Sequence, residues 1–204
     1  MIKEKISGKI YFNVKNGGLE RYYPETKEKK LFGLVGGLPI DLRIVEKDDF
    51  DKKSKMKELQ LEMWDDVNGG EYYVICSRLH RSFSDGLILS LANIEDLSKK
   101  IIVKAYTLPQ KEVNPTFKPS TFCAVRMYDN PEEKIKWIDG CPETKIVTFK
   151  GQEIKDREER DAFIEALIPK IQAAIRNNTS LIKSKLETIP EEIYDDSEDI
   201  EDEN

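Results

Sequence analysis

Aromatic and basic side chains occur together on one face of several predicted β-strands. Lys104 and Tyr106 share a face in one strand, and Phe122, Arg126 and Tyr128 share a face in another. Rings can stack on nucleic-acid bases while Lys and Arg contact phosphates, without reading the base sequence. An ordinary solvated strand face carries few rings, so the pattern predicts a surface for single-stranded nucleic acid. Because Tyr and Phe are also common strand residues, the alternative is that these rings cover a second barrel face or a dimer contact.

The predicted binding set extends this pattern to other strands and to a basic cluster beside His80. The cluster lies where a strand is expected to meet a short helix, and its cations are expected to contact phosphates. The whole set comprises Lys9, Tyr11, Lys15, Trp64, Tyr72, Tyr73, Arg78, Arg81, Lys104, Tyr106, Phe122, Arg126, Tyr128, Lys136 and Trp137.

No pattern typical of an enzyme site accompanies this surface. The sequence has no GxxxxGK[ST] motif, no GxGxxG motif and no CxxC pair, and His80 is its single histidine. Neither a phosphate loop nor a zinc ribbon is predicted. We therefore predict a non-catalytic protein without metal or cofactor. Two rival hypotheses remain: a protein-interaction or virion structural module whose aromatic face contacts protein, and an enzyme that uses His80 and nearby carboxylates. The salt dependence of DNA binding tests the first rival, and the replacement of His80 by Ala tests the second.

Charge is divided sharply along the chain. Residues 187–204 hold ten of the 39 acidic residues and none of the 33 basic ones, so residues 1–186 have a net charge of +4. This asymmetry indicates a basic working surface with an acidic interaction tail. The tail carries too little apolar surface to order and is predicted to be disordered, with a plain solubilising role as the alternative. The residues expected to bind a partner are Ile193, Tyr194, Asp195, Asp196, Asp199 and Ile200.

Period-two alternation dominates the first 150 residues and predicts strands. The turn signal Asn68-Gly69-Gly70 predicts that residues 58–64 and 71–79 form a hairpin. A second strand region, 31–46, is expected to be broken at Gly36-Gly37 and Pro39. The other predicted strands are 9–15, 100–108, 121–128, 134–138 and 145–150, with a long Pro-rich loop at 109–120.

Two segments have helical periodicity. Residues 82–94 predict a short helix between strands, capped by Ser82 or Ser84. Residues 156–177 predict a second helix, with Asp156 as N-cap, a kink at Pro169 and a stop at Asn177-Asn178. Its apolar stripe is expected to pack on the body, with a dimer seam as the alternative.

This order of elements is compatible with a mainly β fold built on an OB-like β-barrel. We expect an OB-like domain over residues 1–150, a C-terminal helical extension over 151–186 and a disordered acidic tail over 187–204.

Four groups of positions together carry a resemblance to a known family: Tyr72-Tyr73, Leu87 to Leu91, Lys104-Ala105-Tyr106 and Lys136-Trp137. These segments resemble single-stranded DNA-binding proteins encoded by bacteriophages. In that family a strand that opens with an aromatic-Tyr pair leads into a helix, and a basic strand with an aromatic tip follows. The resemblance implies a protein that coats single-stranded DNA in replication and recombination, with an acidic tail that recruits replication proteins.

Composition excludes other classes. With 39% hydrophobic and 35% charged residues, the chain can form one core but has no apolar run of the roughly 18 residues that a membrane helix needs. The sequence also lacks an apolar block of signal-peptide length at its start. We therefore expect no membrane partner and a cytoplasmic location, which for a phage-encoded chain is the host cytoplasm.

Overall fold

The computed structural model describes residues 8–49, 54–67, 70–107, 120–149 and 152–186. The described elements, in chain order, are β1 Ile10–Lys15, β2 Gly18–Tyr23, β3 Glu28–Phe32, β4 Leu34–Asp48, β5 Lys55–Asp65, β6 Glu71–Arg78, α1 Ser82–Leu91, β7 Ile101–Thr107, β8 Thr121–Met127, β9 Asn130–Lys134, β10 Lys145–Phe149, β11 Gln152–Asp156 and α2 Glu158–Leu186.

The first nine strands form one curled sheet in the order β3-β2-β1-β6-β5-β4-β7-β8-β9. Neighbouring strands are antiparallel except for the parallel pair β1 and β6. The sheet curls into a half-barrel, so that the β1–β2 turn reaches β8, where the amide of Gly17 donates to Thr121 Oγ1 at 2.9 Å. The mainly β, OB-like architecture with one helix between strands and one at the C-terminal side is therefore confirmed.

The core follows the alternation of the strands. In β7, Ile101, Val103 and Ala105 are buried and Lys104 is exposed, as predicted. The predicted hairpin is confirmed as the antiparallel pair β5 and β6. Both helices bury their apolar residues in the same cluster as the strands, with Phe83 and Leu87 from α1 and Leu167, Ile171 and Ile175 from α2. This packing fixes the side of the sheet that remains open to solvent.

Strand β4 is not broken at its glycines or proline, contrary to the prediction. It pairs with β7 over 34–37 and with β5 from Leu38 onward, and its register shifts between Pro39 and Asp41. Proline is tolerated at such a bulge because the ladder is already interrupted there. A Cβ at Gly37 would lie 2.8 Å from the carbonyl oxygen of Trp64, so the glycine permits close approach of the two strands.

Helix α2 packs along β4 after residue 37, where β4 no longer pairs with β7. Gln172 donates to the carbonyl of Leu42 at 2.7 Å, and Thr179 donates to the carbonyl of Ile40 at 2.8 Å. The buried amide of Asn178 donates to the carbonyls of Pro39 and Leu97 at 2.8 and 2.7 Å. The carbonyls of Pro39, Ile40 and Leu42 lie in β4 beyond the segment that pairs with β7, and that of Leu97 lies in the loop before β7, so the helix supplies the donors that they need.

The prediction that Asn177-Asn178 ends the helix is therefore wrong, because Asn178 is used inside it and α2 continues to Leu186. The predicted N-cap is one residue early: α2 begins at Glu158, and the carbonyl of Arg157 accepts from the amide of Asp161 at 2.7 Å, so Arg157 is the N-cap. The Asp156 carboxylate accepts from the amide of Glu158 at 3.1 Å from the position before it. In α1, the predicted capping serine is Ser84, whose Oγ accepts from the amide of Arg81 at 3.0 Å.

Other boundaries differ from the sequence prediction. The strand expected at 134–138 lies instead at 130–134, because β9 is an exposed edge strand whose residues do not alternate in polarity. Strands β2 and β11 were not predicted, and α1 ends at Leu91 rather than at residue 94. Except for Ser120, the loop predicted at 109–120 lies outside the described residues, as does the tail predicted at 187–204.

Candidate nucleic-acid interface

A surface with rings and cations lies on the solvent side of β7, β8 and β9, and we call it the β7–β9 face. Tyr106 and Phe122 pair across the two strands, with ring centroids 5.9 Å apart and an interplanar angle of 31°. Lys134 Nζ is 5.7 Å from the centre of the Tyr106 ring and 3.4 Å from its hydroxyl. Lys104 is exposed on the same face, where it pairs in register with Leu34 of β4. The β7–β9 face comprises Leu34, Lys104, Tyr106, Phe122, Arg126, Tyr128 and Lys134.

The sequence pattern found most of this face but missed two members. Leu34 is 53% exposed, and Lys134 lies on an edge strand that was not predicted at this position. Arg126 pairs in register with Lys134 and donates to the carbonyl of Pro131 at 2.5 Å, so its guanidinium is partly engaged. Trp137 of the strand predicted at 134–138 does not lie on this face.

Tyr128 extends the face toward β4. Its ring is 48% exposed and lies over Gly36, where an added Cβ would be 3.4 Å from the ring. Lys100 Nζ lies 5.5 Å from the ring centre and 3.1 Å from Asp65, and it also bonds Asp66. The hydrogen bond with Asp66 is the main cause of the raised pKa of Lys100. The half-exposed Tyr128 ring therefore lies beside Lys100, which Asp65 and Asp66 hold in place.

The outer face of β1, β6 and β5 differs from what the sequence pattern predicts. Lys9 Nζ lies 3.9 Å from Glu62, and Arg43 lies 2.5 Å from the same carboxylate. Burial raises the pKa of Glu62, whereas the two cations oppose that rise. Lys15 similarly lies 3.8 Å from Glu20. The cations predicted for nucleic acid on this face are thus paired with acids.

Three polar residues of β5 form the middle of that face. Glu58, Gln60 and Glu62 are 7%, 6% and 4% exposed, and Lys47 lies 3.2 Å from Glu58. Beside them on β6, burial raises the pKa of Cys76 to about 12. Half-buried Tyr11 lies beside this charge network, and burial raises the pKa of its hydroxyl. The face is a neutralised network rather than a stacking surface.

Three predicted binding rings belong to the core. Trp64 and Tyr72 are 4% and 7% exposed, and both pack with Ile182 of α2 in a second apolar cluster. Tyr73 packs edge-on against Phe12, with ring centroids 5.7 Å apart. The expectation that these three rings are open to bases is wrong, because α2 covers Trp64 and Tyr72 and the inner sheet face holds Tyr73.

The basic cluster is larger than predicted. A groove of about 310 Å³ is lined by Arg78, His80 and Arg81 together with Lys55 and Lys57 of β5. The sequence pattern missed both lysines, because β5 and β6 bring them beside Arg78 only after pairing. We call this cavity the basic groove.

Trp137 and Lys136 lie away from the β7–β9 face. Trp137 is 43% exposed beside α1, and the Arg160 guanidinium lies 5.8 Å from its ring centre. Lys136 is exposed, and its carbonyl accepts from the side chain of Asn93. The structure therefore does not bring these two residues to the predicted binding surface.

A charged clasp joins the two helices behind this surface. Asp85 of α1 is 4% exposed, and its Oδ2 lies 2.5 Å from Arg157 Nη2 and 3.6 Å from Arg160 Nε. Arg157 also contacts Asp161 at 2.9 Å and donates to the carbonyl of His80. The clasp thus ties the start of α2 to α1 and to the turn that precedes α1.

Asp85→Asn is expected to lower the free energy of unfolding by about 2–3 kcal/mol. Removing one partner of a buried ion pair typically costs about 3–5 kcal/mol, and Arg157 keeps part of that through Asp161. Urea denaturation measures the loss. The control is Glu159→Gln on the same helix, since Glu159 is 65% exposed and pairs with Lys145 on the surface. Equal losses in both variants would contradict the clasp.

Comparison with known proteins gives no relative. No protein-family model matches the chain, and no match is found among curated proteins or solved structures. Within the part of the chain that the structure describes, neither helix combines the length and hydrophobicity that a membrane span requires. The described residues also contain no group of three or more His, Cys, Asp or Glu side chains placed to hold a metal ion.

Proposed function

We propose that this protein binds and coats single-stranded DNA, without catalysis, during phage replication or recombination. The observation that carries the proposal is the Tyr106–Phe122 pair, whose two rings lie side by side on an open sheet face with Lys134 over one of them. Bases can stack on rings of this kind while neighbouring lysines and arginines contact the backbone. The net charge of +4 in residues 1–186 adds long-range attraction for a polyanion.

The acidic tail supports a regulatory part of the same proposal. Residues 187–204 follow the last described helix directly and carry a charge of −10. A tethered anion acts at high effective concentration, so it competes with DNA for basic surface without high intrinsic affinity. In this proposal DNA releases the tail, which then recruits replication proteins in the cytoplasm of the host cell.

The second candidate function is a protein-interaction or virion structural module. It is favoured by the β10–β11 hairpin, which leaves Ile146, Val147 and Ile154 67%, 36% and 45% exposed. An apolar surface of this kind fits a protein contact, including a homodimer. Salt separates the two functions, because DNA binding through phosphates weakens steeply with salt and an apolar protein contact does not.

A gel shift with labelled single-stranded and double-stranded DNA tests the main proposal. The full chain is expected to shift the single strand at lower protein concentration than the duplex, because paired bases are not available for stacking. Equal affinity for both forms, or no shift of either form at low salt, would contradict the proposal.

Deleting residues 187–204 is expected to tighten binding of single-stranded DNA. The effect should be largest at about 0.01 M salt, where the Debye length is about 30 Å, and small at about 1 M, where it is about 3 Å. Titration of both chains across this salt range measures it. Replacing Ile193, Tyr194 and Ile200 by Ala is the matched control, since the charge remains and only partner binding should fall. Unchanged or weaker DNA binding by the shortened chain at low salt would contradict competition between tail and DNA and would leave the tail with a solubilising role.

A further inference from the structure

The basic groove collects cations from separate parts of the chain. Lys55 and Lys57 come from the start of β5, Arg78 ends β6, and Arg81 precedes α1. His80 has a left-handed backbone, with φ of 59°, and this turn places Arg81 beside the first turn of the helix. The amide groups of a first helical turn also favour an anion. The groove therefore combines four permanent cations, one of which, Arg81, is the N-cap residue of α1.

The carboxylates at the groove are held by exchangeable contacts. Glu165 of α2 lies 3.2 Å from Lys57 and 3.0 Å from His80 Nε2, and its side chain is 40% exposed. The hydrogen bond from His80 is the main cause of the lowered pKa of Glu165. Asp49 lies 3.1 Å from Arg78, whose side chain is 45% exposed. Ion pairs this exposed contribute little to stability, so an incoming anion can replace a carboxylate at small cost.

The groove and the β7–β9 face are joined by the β1–β2 turn. The parallel ladder of β1 and β6 ends with the pair Asn13 and Cys76, and Lys15 and Arg78 each lie two residues beyond that pair on their strands. Beyond Lys15, the amide of Gly17 bonds Thr121, which precedes Phe122. The backbone of the β1–β2 turn and one cation, Lys15, therefore lie between the ring pair and the groove; Lys15 is 55% exposed and its partner is Glu20.

We propose that the basic groove binds one phosphate group of the single strand whose bases stack on the β7–β9 face. This inference rests on the proposed function and assigns it a second, distinct subsite. The strand leaves the Tyr106–Phe122 pair, passes over the β1–β2 turn and delivers a phosphate to Lys57 and Arg78. That phosphate displaces the carboxylates of Glu165 and Asp49, so the subsite is occupied by acids until DNA arrives.

The first test compares the salt dependence of binding in two double variants of the full chain. Lys57→Gln with Arg78→Gln removes two groove cations, and the control, Lys145→Gln with Lys155→Gln, removes two exposed lysines of the β10–β11 hairpin. The probe is oligo-dT of about 16 nucleotides, the upper end of an OB-fold site. The slope of log K against log salt is expected to fall by about 0.7 in the groove variant, the value for one lost phosphate contact on a single strand. A slope change equal to that of the control overturns the proposal.

The second test uses inorganic phosphate without DNA. NMR titration of the full chain should shift the backbone amides of His80 and Arg81, and the groove variant should lose these shifts.

If oligo-dT fails to bind but phosphate still moves these amides, the proposed function falls and the phosphate site stands. If oligo-dT binds but phosphate leaves these amides unmoved and the groove variant keeps the wild-type slope, the site falls and the function stands. Oligo-dT with a 5′-phosphate is then compared with oligo-dT without one. Tighter binding of the phosphorylated oligonucleotide shows that the groove takes a terminal phosphate, and equal binding of the two shows that it takes an internal one.

Discussion

Replacing Tyr106 and Phe122 together by Ala is expected to weaken binding of single-stranded DNA at least about 30-fold. Each base stacked on an aromatic ring contributes about 1–3 kcal/mol, so two rings contribute about 2 kcal/mol at the least. Both rings are only half-buried and lie on the solvent side of the sheet, so the core beneath them should remain intact. Fluorescence anisotropy at constant salt measures the affinity, and circular dichroism verifies the fold.

A ring outside the β7–β9 face provides the control for this prediction. Tyr23 of β2 also has cations over its ring, with Arg21 at 4.4 Å and Lys30 at 5.1 Å from the ring centre. Tyr23→Ala should leave the affinity near that of the wild type. Wild-type binding by the double variant, or an equal loss in Tyr23→Ala, would show that the bases stack elsewhere or not at all.

Trp64→Ala is expected to lower the free energy of unfolding by about 3–5 kcal/mol. Truncating a buried Trp removes its transfer free energy and leaves a cavity. Here the cavity would open among Ile40, Tyr72 and Ile182, and beneath Gly70, where an added Cβ would be 2.3 Å from the indole. The midpoint of urea unfolding, at unchanged slope, measures the loss.

The chain contains one other tryptophan, which serves as the control. Trp137 is 43% exposed, so Trp137→Ala should cost less than about 1 kcal/mol. The folded fraction of Trp64→Ala should also bind single-stranded DNA as the wild type does. Stability near that of the wild type, combined with lost DNA binding, would contradict the placement of Trp64 in the core and show that it belongs to the binding surface.

The contrast between β7 and β5 shows what alternation along one strand can predict. In β7 and β8 the polar parity faces solvent, so Lys104, Tyr106 and Phe122 were correctly assigned to an open face. In β5 the same parity places Trp64 on the outer face of the sheet. There Ile182 of α2, more than a hundred residues later in the chain, covers the ring. Which sheet face a distant helix covers is a long-range property that period two does not contain.

Charge patterning had a similar limit. Lys9 and Lys15 stand beside rings in the sequence, and their acidic partners come from β5 and β2. Local sequence shows the cation without the neighbour that neutralises it, because strand order decides which residues meet across a ladder. The basic groove shows the opposite case, since Lys55 and Lys57 join Arg78 only through the β5–β6 pairing.

The hydrogen bonds from α2 to β4 can form only late in the synthesis of the chain. The donor Gln172 lies 130 residues after its acceptor Leu42, and Asn178 lies 139 residues after Pro39. At about 5–20 residues per second, a ribosome needs on the order of ten seconds to add that stretch. Throughout this interval the carbonyls of the nascent β4 edge have no helix to cover them, and an open strand edge invites pairing with other chains. Until α2 is made, this edge of β4 is therefore open to pairing with nascent chains on neighbouring ribosomes.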